Sequence, residues 1–203
     1  MPSNPLILAF DTSAAHCAAA LMSGDTVLAQ RAEAMSRGQA ERLMPLLQDL
    51  LAEAHATWRD LTAIGVGVGP GNFTGIRIAV SAARGLALGL DIPAVGVTGS
   101  EARCLSEPQT NLPAIPAPRD QVYLCNPTDP SSDPVLVSLA EALKTAEAMN
   151  RTLSTETTPL QIAIAIARIT ASRWQTTTSP PAPLYVRPAD AAPPRDKPPV
   201  LIE

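Results

Sequence analysis

The chain has eleven glycines, and none of them lies beyond Gly99. Sixteen of its twenty-one prolines lie beyond Glu107. Glycine gives the backbone freedom for tight turns and close approach, whereas proline fixes φ and removes a hydrogen-bond donor. The shift marks an organisational boundary near residues 99–112, with a more irregular second part. At 203 residues the chain can bury one or two compact cores. The division expected is an N-terminal lobe over 1–105, a smaller C-terminal lobe over 106–190 and a loose tail over 191–203.

The first part alternates clearly between periods. "LILAF" (Leu6–Phe10) is a continuous apolar run that reads as a buried strand. Two extended runs flank Gly24-Asp25, a hairpin signal. Gln39–His55 repeats apolar residues at helical spacing through Ala40, Leu43, Leu47, Leu50 and Ala54, with Pro45 inside the pattern. A strand over Thr62–Gly69, a helix over Thr74–Leu90 and a strand over Pro93–Thr98 complete a β-β-β-α-β-α-β order. A meander followed by right-handed crossovers gives a mixed sheet with helices on its faces. That order is the ribonuclease H-like half-unit of the actin-like (ASKHA) superfamily, a fold-level analogy that does not settle chemistry. The second part offers broken strand material in "LPAIPAPRDQVYLC", helices over Val137–Asn150 and Pro159–Trp174, and a short strand in "PLYVR" (Pro183–Arg187). No internal sequence repeat is evident.

Charge narrows the function classes. The formal net charge is -4 and only two lysines occur, Lys144 and Lys197. A protein that grips nucleic acid alone usually shows a basic stripe, and none is visible. No apolar run reaches membrane-spanning length without interruption by Gly, Pro or charge. The N-terminus lacks a basic segment of the signal-peptide kind. Cys17, Cys104 and Cys125 share no metal or redox spacing, so reduced thiols in a cytoplasmic protein are expected. His16 and His55 stand far apart and read as surface or packing residues. No metal site and no catalytic set is expected from a chain so poor in histidine.

The segment "GVGPGNFTGIR" (Gly67–Arg77) resembles a phosphate-cradling loop, since a strand, a tight turn and a helix N-terminus make an anion site. It lacks the Gly-Lys-Ser/Thr ending of a Walker A loop and the context of a dinucleotide fingerprint. A structural reading accounts for it: Gly69, Pro70 and Gly71 make the turn, and Asn72 or Thr74 caps the helix. Arg77 sets a cation against the positive end of that helix, a cost of about 0.3–1 kcal/mol. It calls for an anionic partner, either a carboxylate such as Asp11 or Glu101 or a substrate phosphate. Asp11 and Thr12 end the first strand where superfamily kinases carry a carboxylate for metal and phosphates. Those kinases follow it with glycine, and here Ala14 and Ala15 follow instead. The second glycine loop of a nucleotide clamp has no counterpart, because the C-terminal half has no glycine.

The helix "TGIRIAVSAARGLALGL" is apolar on two sides. Ile76, Val80, Ala83, Ala87 and Leu90 form one stripe, and Ile78, Ala82, Leu86 and Gly89 another. One sheet covers one side only, so the surplus marks an interface. Ser81, Gly85 and Gly89 would let a neighbouring helix approach closely.

These residues resemble the TsaB (YeaZ) family, partners of TsaD in tRNA threonylcarbamoyladenosine synthesis. The resemblance is carried by "ILAFDTS", "ERLMPLLQDLL", "GVGVGPGNFTGIRIAVSAARGLALGLDIPAVGVTG" and "PLYVR". It covers the first hundred residues almost continuously. It implies a two-lobed actin-like fold, from which this chain departs in a second lobe expected to be reduced, and a subunit that is not itself catalytic and has no cofactor of its own. It also implies docking on TsaD through the two N-lobe helices, activation of threonylcarbamoyl transfer, TsaE in the larger assembly, and a homodimer when TsaD is absent. ATP and metal would belong to those partners, and tRNA would be met only through the complex. Leu43, Leu47, Leu50, Ile76, Val80 and Ala83 are then the candidate contacts. The chain departs from the family pattern at "PAPRDQVY" (Pro116–Tyr123), where prolines replace the usual Asp and first Arg. The rival reading from the fold is an ATP-dependent phosphotransferase.

Overall fold

Buried apolar residues alternating with their neighbours across a pleat decide the first sheet. The structure is a computed structural model and describes residues 4–186. Strands β1 (Leu6–Asp11), β2 (His16–Ser23) and β3 (Thr26–Ala34) form an antiparallel meander. Its second hairpin turns at Gly24, φ +56°, and Asp25. Helix α1 (Gln39–Glu53) leads to β4 (Ala63–Gly67), and α2 (Phe73–Leu90) to β5 (Ala94–Val97). Both β4 and β5 run parallel to β1, and the strand order is β3-β2-β1-β4-β5. The β-β-β-α-β-α-β order and the ribonuclease H-like unit it implies are therefore present.

The pleat sorts the core. Leu8, Phe10, Cys17, Ala19 and Leu21 face α1 and α2, while Ile7, Ala9 and Met22 face the other side. That other side is covered by helix α5 (Pro159–Arg173), through Ile162, Ala165, Ile166 and Ala167. Ala18 and Ala20 of β2 meet Ala163, so small side chains let α5 lie close. At Gly65 a Cβ would strike Thr170 and Ile166 of α5. A helix from the second half of the chain thus completes the core of the first. Helix α3 (Gly99–Ser106) follows β5 directly, and a capping box of Thr98 and Glu101 starts it.

Strands β6 (Asn111–Ala117), β7 (Gln121–Leu124) and β8 (Val135–Ser138) make a second meander. Helix α4 (Leu139–Ala148) then leads to β9 (Thr152–Ser154), parallel to β6. The order β8-β7-β6-β9 repeats, strand for strand, the order β3-β2-β1-β4. Two expectations change. "PLYVR" forms no strand over Pro183–Val186; Leu184 gives a single backbone N–H to the Val68 carbonyl, 2.8 Å, because a Pro-rich approach cannot supply a ladder. Arg187 and the tail from Pro188 lie outside the described residues. Helix α2 does reach membrane-spanning length, 18 residues at a mean hydropathy of 1.3, since two arginines and two late glycines dilute it too little. In this fold its inner face packs on the first sheet.

Candidate functional site

The carboxyl ends of the parallel strands β1, β4 and β5 open on a cleft of about 410 Å3 between the two sheets. Such a crevice is where open α/β sheets bind ligands. Asp11, Ser13, His16, Gly69 and Asn72 line one wall, Ile115, Pro116 and Tyr123 the opposite one, and Ile162 and Ile166 of α5 the base.

Asp11 is 2% exposed, and its Oδ2 is fully engaged. It accepts from the Ser13 N–H at 3.2 Å and the Ser13 hydroxyl at 3.0 Å, and lies 2.8 Å from His16 Nε2. His16 is thus a partner of this carboxylate and not a bystander. Thr12 turns the other way and donates its hydroxyl to the Gly75 carbonyl, 2.6 Å. The Asn72 N–H reaches the Ser13 carbonyl at 2.6 Å, and the Asn72 side chain accepts from the Gly75 N–H at 2.8 Å. Asn72 is therefore the helix cap; Thr74 sits in the first turn, exposed. A Cβ at Gly71 would meet Ser13 and one at Gly75 would meet Thr12. The glycine loop spends its close approaches on the β1 loop of its own chain. Gly69, φ +100°, is held in turn by the Gly99 N–H on its carbonyl, 2.8 Å.

Arg77 finds neither Asp11 nor Glu101. Its guanidinium lies 3.8 Å over the Phe73 ring, and its Nε donates to the Tyr185 hydroxyl at 2.8 Å. Phe73 and Tyr185 stack at 4.9 Å. An aromatic face answers the cation where a carboxylate was expected. Glu101 is taken by Arg173 of α5, 2.6 Å away.

Deeper in the cleft, burial lowers the pKa of the Arg103 guanidinium, and its remaining bond is a long one, 3.5 Å, to the Thr155 carbonyl. Arg103, Ser13 and Asn72 are the groups here that could meet an anion. Among the described residues no three His, Cys, Asp or Glu side chains converge as a metal site would require.

The six expected contacts on the helices turn inward. Leu43, Leu47, Leu50, Ile76, Val80 and Ala83 are all 3% exposed or less, packed on the first sheet. The phase of the stripe explains it: on α1 the outer positions are Glu41, Gln48, Asp49 and Glu53, so its five buried leucines make one inner face. The outer apolar residues are Met44 on α1 and Phe73 and Leu88 on α2, with Leu88 at 87% exposed. Gly85 and Gly89 also face open space. Ser13, His16, Arg103 and Tyr185 lie outside the expected site residues; of these, Ser13 in the "DTS" run and Tyr185 in "PLYVR" carry a sequence signal.

A family model described as "TsaD: tRNA N6-adenosine threonylcarbamoyltransferase" matches residues 26–144, more than half of the chain. The chain belongs to this family. The tRNA threonylcarbamoyladenosine biosynthesis protein TsaB of Escherichia coli K12 is 41% identical over 92 residues, 45% of this chain and 39% of that protein. The Bacillus subtilis TsaB is 37% identical over 120 residues, 58% of this chain and 52% of that protein. The chain thus spans about half or less of the curated relatives it matches. A solved Pseudomonas aeruginosa protein, described as similar to peptidase YeaZ, superposes with a TM-score of 0.68 at 25% identity. That match covers 90% of this chain and 100% of the other.

Proposed function

We propose that this chain is a non-catalytic subunit that docks on a TsaD transferase and activates threonylcarbamoyl transfer to adenosine beside the tRNA anticodon. The observation that carries the proposal is the similarity to curated TsaB proteins. The state of the loops supports it: the glycine loop is closed on the β1 loop, and one Asp11 oxygen, Oδ2, already serves Ser13 and His16. The outer face of α2, with Leu88, Gly85 and Gly89, supplies a surface for a neighbouring helix. On this reading ATP, metal and tRNA are handled by partner subunits, TsaE among them, in the cytoplasm. A second copy of the chain occupies the face when TsaD is absent.

The test is reconstitution. The purified chain with its cognate TsaD, TsaE, tRNA, ATP and a threonylcarbamoyl donor should give modified tRNA. Omitting the chain should reduce the yield at least tenfold. Equal yields with and without it reject the reading. One observation favours a second reading, an ATP-dependent phosphotransferase: a cleft of about 410 Å3 at the carboxyl ends of three parallel strands. Tight, metal-dependent ATP binding by the isolated chain in calorimetry would select that rival.

A further inference from the structure

The cysteines lack any sequence spacing of interest, yet two of them meet where α3 packs on the second sheet. Cys125, just beyond β7, clusters with Ile115 and Tyr123, and Cys104 of α3 packs against that cluster. The Cys104 sulfur lies 3.9 Å from the Asn126 carbonyl oxygen, and the Cys125 sulfur 3.9 Å from the Tyr123 carbonyl oxygen. The Cys104 sulfur thus sits against the residue that follows Cys125 in the chain. Beside them is Ser100, whose hydroxyl is, among the described residues, the one buried side-chain nitrogen or oxygen left without a conventional hydrogen bond.

The two sulfurs differ in access. Cys125 is 2% exposed, whereas Cys104 opens on a surface cleft of about 580 Å3 that Glu101, Asn111 and Arg151 also line. Their acidities differ in the same sense. The neighbouring Cys125 thiol holds the Cys104 thiol below its usual range against burial, with Ser100 and Arg151 helping. Cys125 is pushed up by Cys104 and by burial. Cys17, in the core of the first sheet, is pushed up to about 11 by burial and by Glu33. An accessible thiol with a buried thiol behind it is the arrangement of an attacking and a resolving cysteine.

We propose that Cys104 and Cys125 are a thiol–disulfide exchange site for low-molecular-weight disulfides such as oxidised glutathione. The Cys104 thiolate attacks one sulfur of the disulfide, whose S–S bond breaks and releases a thiolate. That thiolate takes the Cys125 proton and leaves as a thiol. The Cys125 thiolate then attacks the Cys104 sulfur and expels the second thiolate, which solvent protonates. Two cysteines are oxidised by two electrons, and the small disulfide is reduced to two thiols. The new bond joins α3 to the residue just beyond the strand that carries Tyr123, on the far wall of the interlobe cleft. The proposal is independent of the role assigned to the chain above.

The experiment is peptide mapping without reductant after the purified full chain is incubated with excess oxidised glutathione and quenched in acid. The expected result is loss of two of the three free thiols as a Cys104–Cys125 cross-linked peptide, reversed by dithiothreitol. Cys125→Ser should stop at a glutathione adduct on Cys104, and Cys104→Ser should leave Cys125 unmodified. A lasting adduct on Cys104 of the unmutated chain without the cross-link overturns the proposal. So does retention of all three thiols by the folded chain under conditions where the urea-unfolded chain loses them. The unmutated chain decides the matter even where a variant fails to fold.

Discussion

Gly75 has no room for a side chain, because a Cβ there would run into the Thr12 carbonyl oxygen, which is backbone and cannot swing away. Gly75→Ala should lower stability by about 1–3 kcal/mol, as overpacking does. Asn72→Ala, which removes only the helix cap, should cost about 1 kcal/mol. Urea titration of both variants checks the order. Glu107 allows a test by pH. Although burial opposes it, hydrogen bonds from Thr157, Asn111 and Ser154 hold its carboxyl below its ordinary value of 4.5. A depressed folded pKa means that this stabilisation is complete above 4.5 and is lost as pH falls through the folded value. Glu107→Gln should therefore destabilise the chain at pH 7 and narrow the gap to wild type as the solution is acidified below 4.5, read from urea midpoints at each pH. The cap at Asn72 is legible in the sequence, since its side chain reaches only along its own helix. The partner of Arg77 is not, because Tyr185 stands 108 residues away and reaches it only through the fold.

Helices α1 and α2 show how far an apolar pattern can be read. Their existence and near-boundaries follow from periodicity, yet α2 is so uniformly apolar that its inner and outer stripes look alike in sequence. The structure breaks the tie: Val80 is 3% exposed and Leu88 is 87% exposed. Val80→Glu should abolish cooperative unfolding, by burying an unpaired charge in the core. Leu88→Glu should leave stability within about 0.5 kcal/mol and weaken association with TsaD. Circular dichroism and gel filtration with TsaD separate the two outcomes; an unfolded Leu88→Glu or a folded Val80→Glu contradicts the assignment of faces. Helix α3 was invisible to apolar periodicity because it is one short, mixed segment, although Thr98 and Glu101 spell a capping box that could have revealed it. Strands β8 and β9 have four and three residues and carry no run long enough to alternate.

At the scale of the molecule, two sheets share one topology while their sequences share no visible repeat. Backbone pairing needs only a pleat and a few apolar positions, so the same β-β-β-α-β plan tolerates a glycine-rich first copy and a proline-rich second. The copies are not independent, since α5 crosses back to cover the open face of the first sheet. A fragment ending at Glu107 should therefore fail to unfold cooperatively and should aggregate. Co-expression with residues 108–203 should restore a soluble complex, visible as a single peak in gel filtration. The arrangement has a cost during synthesis. All five strands of the first sheet are complete at Val97, but the last residue of α5 is Arg173. At roughly 5–20 residues per second, an alanine-lined surface stands naked on the ribosome for on the order of ten seconds. Throughout that interval the nascent polypeptide presents chaperones with a hydrophobic flank that only its own unborn helix can shut.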